Sequence, residues 1–133
     1  MPIIVDSSVA ASWSIPDEDS EIARRALHLA FRTGMLVPQI FWYEFRNVLV
    51  INERRGRLLV DETEAGLRNV LDLSPTTDPE APNDSVMLLA RKHRLTIYDA
   101  AYLELALRYR AVLATLDTRL AAAAVAEDLE VLR

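Results

Sequence analysis

Short apolar runs recur along the chain, and each is short enough to form a buried strand. They occupy residues 3–5, 35–37, 111–114 and 129–132, and Asp72-Leu73 is a further minimal candidate. Between them lie longer segments whose apolar positions recur every three or four residues, which predicts amphipathic helices. These segments span residues 9–14, 20–32, 41–55, 61–71, 84–93, 99–107 and 120–126. Strands that alternate with helices predict an α/β fold with a mostly parallel sheet.

Residues 74–84, SPTTDPEAPND, contain three prolines and predict a loop. This loop is not interpreted as a linker between domains, because neither side of it has the apolar residues for a convincing core of its own. We therefore expect residues 1–133 to form one domain.

Four acidic residues stand where such a fold can bring them to one edge of the sheet. Asp6 and Asp117 each follow a predicted strand, and Glu44 lies early in the helix after the second strand. Asp99 begins an unusually apolar helix, and it joins the other acids if the chain returns to that edge before the helix starts. Ligands of parallel sheets bind beyond the carboxyl ends of the strands, so this edge is the expected site.

Each of these acids also has a purely structural explanation. Asp6, Asp99 and Asp117 are all placed to cap helices, and Glu44 alone is best explained as an exposed helix residue. The set as a whole favours a functional site, because four acids and several polar neighbours would meet there. The polar neighbours are Ser7, Ser8, Thr115 and Asn47, the last of which lies three residues after Glu44.

Gathered carboxylates repel one another and raise each other's pKa unless a cation neutralises them. Oxygen ligands without histidine or cysteine suit Mg²⁺ or Mn²⁺ rather than zinc. Such ions activate water and stabilise charge on phosphoryl oxygens, so metal-dependent phosphodiester cleavage is the predicted chemistry.

Composition narrows the alternatives. The chain has no cysteine, which excludes disulfides and thiolate chemistry, and its three glycines form no phosphate-binding loop. The net charge of −5 argues against a general nucleic-acid coat protein but not against a nuclease. The amino terminus lacks the features of a signal peptide, and no apolar run is long enough to span a membrane, so a cytoplasmic protein is expected.

Four segments, IIVDSSV, FWYEFRNVL, LTIYDAAYLELA and LATLDTRL, together resemble PIN-domain ribonucleases, specifically the VapC-type toxins of type II toxin–antitoxin pairs. The resemblance implies a three-layer α/β/α sandwich whose acidic metal site is formed by Asp6, Glu44, Asp99 and Asp117. It also implies supporting roles for Ser8, Asn47 and Thr115 beside that site.

The resemblance further implies a Mg²⁺- or Mn²⁺-dependent endoribonuclease that is usually a homodimer and is inhibited by a cognate antitoxin. In this family the antitoxin lays a helix into a hydrophobic groove, for which the helices at residues 20–32 and 41–55 are candidate walls. Attraction of RNA would rest on arginines, which are expected to include Arg46, Arg54, Arg55 and Arg57.

Other functions stay open at this stage. The principal alternative is a catalytically weak PIN-like module that acts mainly by binding a partner protein or RNA. Metal-dependent phosphatase or DNA nuclease activity is a smaller alternative. The sequence leaves open which RNA is cleaved and whether one or two metal ions take part.

Overall fold

A central sheet of five parallel strands organises the computed structural model, which describes residues 1–79 and 82–132. The strand order is β3-β2-β1-β4-β5, so the first strand lies in the middle. Ile4 of that strand is in register with Leu36 on one side and with Leu113 on the other. The strands are β1 (Ile3–Val5), β2 (Met35–Pro38), β3 (Thr76–Asp78), β4 (Leu113–Ala114) and β5 (Val131–Leu132).

Seven helices connect these strands in the described part of the chain. Their starts follow local capping chemistry: Ser20 Oγ accepts the backbone N–H of Ala23, and Thr96 Oγ1 accepts that of Asp99. Gly34 ends the second helix with a φ of 91°, which side chains with a Cβ rarely adopt. The helices are α1 (Ser7–Ser12), α2 (Glu21–Thr33), α3 (Ile40–Arg54), α4 (Val60–Asp72), α5 (Asn83–His93), α6 (Ile97–Tyr109) and α7 (Thr118–Ala126).

Helices cover both faces of the sheet. The chain moves from β1 through β2 to β3 in one direction and then adds β4 and β5 on the other side, so right-handed crossovers place α1–α4 on one face and α5–α7 on the opposite face. All three residues of β1 are buried, as expected for a strand covered on both sides. The predicted three-layer α/β/α sandwich with a parallel sheet is confirmed.

The core agrees with the helical periodicity seen in the sequence. Phe41, Phe45 and Leu49 are fully buried at successive turns of α3. Helix α6 is buried over most of its circumference, from Ala100 to Ala106. No helix among the described residues is long and apolar enough to cross a membrane.

The predicted third strand is wrong. Asp72 is the last residue of α4 and Leu73 lies in the turn after it, whereas β3 lies at residues 76–78, inside the predicted loop. This strand is polar and mostly exposed because it is at the edge of the sheet and pairs only with β2. Prolines on either side of such an edge strand hid it in the sequence pattern. Residues 80 and 81 of the predicted loop lie outside the described residues.

Candidate active site

Asp6 is at the centre of the candidate site, directly after β1. It caps α1, where its Oδ1 accepts the backbone N–H of Val9 at 3.1 Å and the hydroxyl of Ser8 at 2.6 Å. Its Oδ2 accepts the hydroxyl of Thr115 at 2.5 Å. The residue is only 5% exposed, so these three donors replace the water that a charged carboxylate would otherwise bind.

Thr115 connects Asp6 to the segment that follows β4. Its Oγ1 donates to Asp6 and also accepts the backbone N–H of Asp117 at 2.9 Å. Asp117 in turn caps α7, where its Oδ1 accepts the N–H groups of Arg119 and Leu120. The carboxyl ends of two neighbouring strands are thereby joined through side chains, at the point where the strand order reverses.

Glu44 and Asp99 approach the same place from helices. Glu44 lies one turn into α3, and its Oε1 accepts the hydroxyl of Tyr102 at 2.8 Å. Asp99 lies in the first turn of α6, where Thr96 performs the capping role. Tyr102 is three residues after Asp99, so one face of α6 presents both residues to the site.

Burial and mutual repulsion act on these acids together. Burial raises the pKa of Asp6. Hydrogen bonds from Ser8 and Thr115 partly offset this increase, and the charge of Asp117 adds to it. Burial also raises the pKa of Glu44. The hydrogen bond from Tyr102 lowers this pKa, and repulsion from the charges of Asp99 and Asp6 raises it further.

The pKa of Asp99 is raised by burial first and then by the charges of Asp117 and Asp6. Every one of the four predicted acids therefore interacts electrostatically with at least two of the others.

The structural explanation of the acids is correct for two of them. Asp6 and Asp117 cap helices and also belong to the acidic cluster, whereas Asp99 caps nothing. Asn47 is exposed, and its side chain forms no hydrogen bond with another described residue, so no contact in the structure supports its predicted role beside the site. Tyr102 was missed in the sequence, although its spacing from Asp99 on an apolar helix was an available signal.

The donor chemistry of the cluster fits a hard divalent cation, because every candidate ligand is a carboxylate or hydroxyl oxygen. The hydrogen bonds of Asp117 fall on Oδ1, which leaves Oδ2 available as a ligand. In this conformation no three acidic or histidine side chains within residues 1–79 and 82–132 are close enough to share one ion. Binding would therefore require side-chain rotation, for which Asp99 is well suited because its carboxylate serves no cap.

Known proteins share both the sequence pattern and the fold. Ribonuclease VapC3 of Pyrobaculum aerophilum is 37% identical over 125 residues, which cover 91% of this chain and 93% of that protein. The crystal structure of PAE2754 from Pyrobaculum aerophilum superposes with a TM-score of 0.76 at 24% identity, covering 99% of this chain and 90% of that one.

Two further structures share the fold at 19% identity. FitAB bound to an IR36 DNA fragment has a TM-score of 0.67 over 97% of this chain and 92% of its own. FitAcB from Neisseria gonorrhoeae has a TM-score of 0.66 over 98% of this chain and 96% of its own. The family model described as the PIN domain matches residues 3–126, and the chain belongs to the PIN-domain family.

Proposed function

We propose that this protein is a Mg²⁺- or Mn²⁺-dependent endoribonuclease and the toxin of a type II toxin–antitoxin pair. The observation that carries the proposal is the electrostatic cluster of Asp6, Glu44, Asp99 and Asp117, which come from four different parts of the chain. The 37% identity to a protein named as a ribonuclease supports RNA as the substrate.

In this proposal the chain holds its acids ready for a cation and a phosphodiester. Asp6 is fixed by its three donors and provides a rigid ligand, while Asp99, Asp117 and Glu44 complete the set around it. A bound divalent ion would supply water activation and stabilisation of phosphoryl charge. Tyr102 positions Glu44 through its hydroxyl, and Thr115 and Ser8 position Asp6.

The test is cleavage of single-stranded RNA by the wild-type protein and by the Asp99→Asn variant, with Mg²⁺, Mn²⁺ or EDTA present. Asp99 is chosen because it caps no helix, so its substitution leaves the local fold intact. We expect the variant to lose more than about 100-fold in rate, beyond the effect of changing an outer-shell residue. Asp72→Asn, at the exposed end of α4, is the matched control and should cleave like wild type.

Two results would contradict this function. Cleavage that survives both Asp99→Asn and Asp6→Asn would show that the acids are not catalytic. RNA binding without any metal-dependent cleavage would instead favour the PIN-like binding module. Parallel assays with single-stranded DNA and a small phosphomonoester distinguish the ribonuclease from a DNA nuclease or a phosphatase.

We also propose that an antitoxin covers the outer face of α2. Leu27 and Phe31 lie one turn apart on this face, and Phe31 is 81% exposed although it is large and apolar. The predicted second wall, α3, exposes Tyr43 and Val50. The test is growth arrest when the protein is expressed, with and without the antitoxin. If the antitoxin relieves the arrest caused by the wild type but not that caused by Phe31→Ser, the result supports this surface. Relief that persists in the variant would exclude it.

We further propose that the protein is a homodimer. An apolar groove of about 430 Å³ between α3, α5 and α6 offers a second surface, lined in part by Ile40, Met87, Ile97 and Tyr98. Sedimentation equilibrium of the wild-type protein and of Ile97→Glu tests this: a dimer that the substitution converts to a monomer supports it, and a wild-type monomer contradicts it.

A further inference from the structure

An RNA strand needs positive charge close to an acidic site, because its phosphates are otherwise repelled. The arginines expected to supply it at the end of α3 are poorly placed. Arg57 is already bound by Asp17, Glu18 and Asn52. Arg54 and Arg55 lie ten and eleven residues after Glu44, which is about 15 Å along a helix.

A different group of basic residues lines a cleft of about 600 Å³ between the end of α5 and α7. Arg119, Ala122 and Ala123 share one face of α7, and the two alanines leave room beside the arginine. His93 and Arg94, from the end of α5, form the opposite wall.

The charge of this cleft is positive and largely uncompensated. Arg94 and Arg119 are exposed, and neither forms a salt bridge with any residue in the described ranges. Glu127, which follows α7, is the acid beside this wall, and its Oε1 is held at 2.7 Å by both Lys92 Nζ and His93 Nε2. Lys92 therefore neutralises the charge of Glu127, and the bond to Glu127 holds the side chain of His93 in place at this wall of the cleft.

The cleft adjoins the acidic cluster through both of its walls. The backbone N–H of Arg119 donates to Asp117, so the first turn of α7 belongs to the cleft and to the site. Arg94 comes two residues before Thr96, the cap of the helix that carries Asp99. A strand with a phosphate at the acids therefore reaches the two arginines within its next nucleotides.

We infer that the cleft between α5 and α7 binds the backbone phosphates of the RNA on one side of the scissile bond, through Arg94 and Arg119. This inference rests on the proposed ribonuclease function. It assigns these residues to substrate binding and places one side of the bound strand over the cleft.

Binding is measured first, in the Asp99→Asn background with Mg²⁺, so that no cleavage interferes. The probe is a fluorescein-labelled single-stranded RNA of mixed sequence, titrated at several salt concentrations. Arg94→Gln and Arg119→Gln should each weaken binding several-fold and reduce the slope of log K against log salt by about 0.7, the value for one lost phosphate contact on a single strand. Arg119→Gln keeps the backbone N–H that Asp117 accepts, so the cap is retained.

Arg25→Gln on α2 is the matched control, since this arginine is exposed, lies in no described salt bridge and belongs to a helix on the opposite face of the sheet from α5 and α7. It should bind like the background protein. Arg55→Gln tests the earlier expectation for α3. If Arg55→Gln or Arg25→Gln weakens binding as much as Arg119→Gln does, the cleft has no special role and the inference is overturned.

This placement is tested by cleavage of RNAs that carry a single neutral methylphosphonate linkage at successive positions around the scissile bond. With Asp99 restored, a neutral linkage at one or two positions on one side of the scissile bond should slow cleavage. In the Arg119→Gln variant, the neutral linkage at the position that Arg119 contacts should no longer slow cleavage, while the other positions keep their effect. An unchanged pattern in both arginine variants overturns the inference while the ribonuclease function stands. Absence of cleavage by the wild type contradicts the proposed function itself, and absence of RNA binding overturns the inference.

Discussion

Replacing Thr115 by valine should weaken the fold and the candidate site together. Thr115 is 1% exposed, and valine fills the same space with a methyl group in place of the hydroxyl. The substitution removes the donor to Asp6 Oδ2 and the acceptor for the backbone N–H of Asp117. Asp6 stays buried and loses one of its three donors.

The expected cost follows from these two bonds. A hydrogen bond to a charged group contributes about 1.5–3 kcal/mol, and the N–H of half-buried Asp117 adds about 1 kcal/mol because water can partly replace its acceptor. The buried methyl group of valine returns about 0.8 kcal/mol. We therefore expect Thr115→Val to lower the free energy of unfolding by about 2–3 kcal/mol.

Urea unfolding at pH 7.5 in EDTA measures this loss as a midpoint lower by about 0.7–3 M, given a typical slope of about 1–3 kcal/mol per molar urea. Thr115→Ser is the control, since it keeps the hydroxyl and loses only a methyl group, at about 1 kcal/mol. The Thr115 bond favours the charged form of Asp6, so the deficit of the valine variant should shrink as the pH falls through the raised pKa of Asp6. A valine variant as stable as the serine variant at pH 7.5 would refute this account of the network.

Three further predictions concern other parts of the molecule. Burial and the charges of Asp117 and Asp6 raise the pKa of Asp99 in the fold, so the folded protein binds more protons than the unfolded chain between the two pKa values, and stability falls as the pH rises through that window. Asp99→Asn should therefore raise the urea midpoint at pH 7.5 in EDTA and reduce the stabilisation by added Mg²⁺. No gain in EDTA would contradict it. A Cβ at Gly66 would lie 2.5 Å from Ser14 Oγ, so Gly66→Ala should cost about 1–2 kcal/mol in thermal unfolding despite the better helix propensity of alanine. The same substitution should cost much less in a Ser14→Gly background, and an equal cost in both backgrounds would exclude the clash. Arg108 binds two buried carboxylates, that of Asp78 on β3 at 2.5 Å and that of Glu104 on its own helix at 2.7 Å. Arg108→Met leaves both acids without this partner and should destabilise by about 3 kcal/mol in urea. A loss below about 1 kcal/mol would show that the arginine is not needed to stabilise these acids.

The fold could be predicted from the sequence wherever burial dictated the pattern. The central strands are buried on both faces, and residues 3–5 and 35–37 therefore stand out as apolar runs. Helix α3 was placed to within one residue because its buried positions recur at helical spacing. The sequence did not predict strand β3, because this edge strand with exposed threonines is stabilised by pairing with β2. Such pairing leaves no apolar pattern in the sequence of the strand itself.

The candidate site divides in the same way. The positions of Asp6 and Asp117 after strand ends follow from the parallel topology, and the structure places both at the edge expected for them. The bond between Glu44 and Tyr102 joins residues 58 apart in the chain and depends on how α3 and α6 pack. The pairing of Arg57 with Asp17 and Glu18 is likewise tertiary, which is why sequence alone assigned that arginine to RNA.

The fold itself explains how the acidic cluster is tolerated without a cation. Asp6 and Asp117 cap α1 and α7, and Asp99 lies in the first turn of α6, so three of the acids meet at helix amino termini whose partial positive charge favours them. Glu44 lies beyond the first turn of α3 and depends on the Tyr102 hydroxyl instead. These contacts do not remove the repulsion, since the pKa values of Asp6, Glu44 and Asp99 are still raised. The remaining repulsion is the part that a divalent cation would offset, so binding of such an ion to the cluster would raise the stability of the fold.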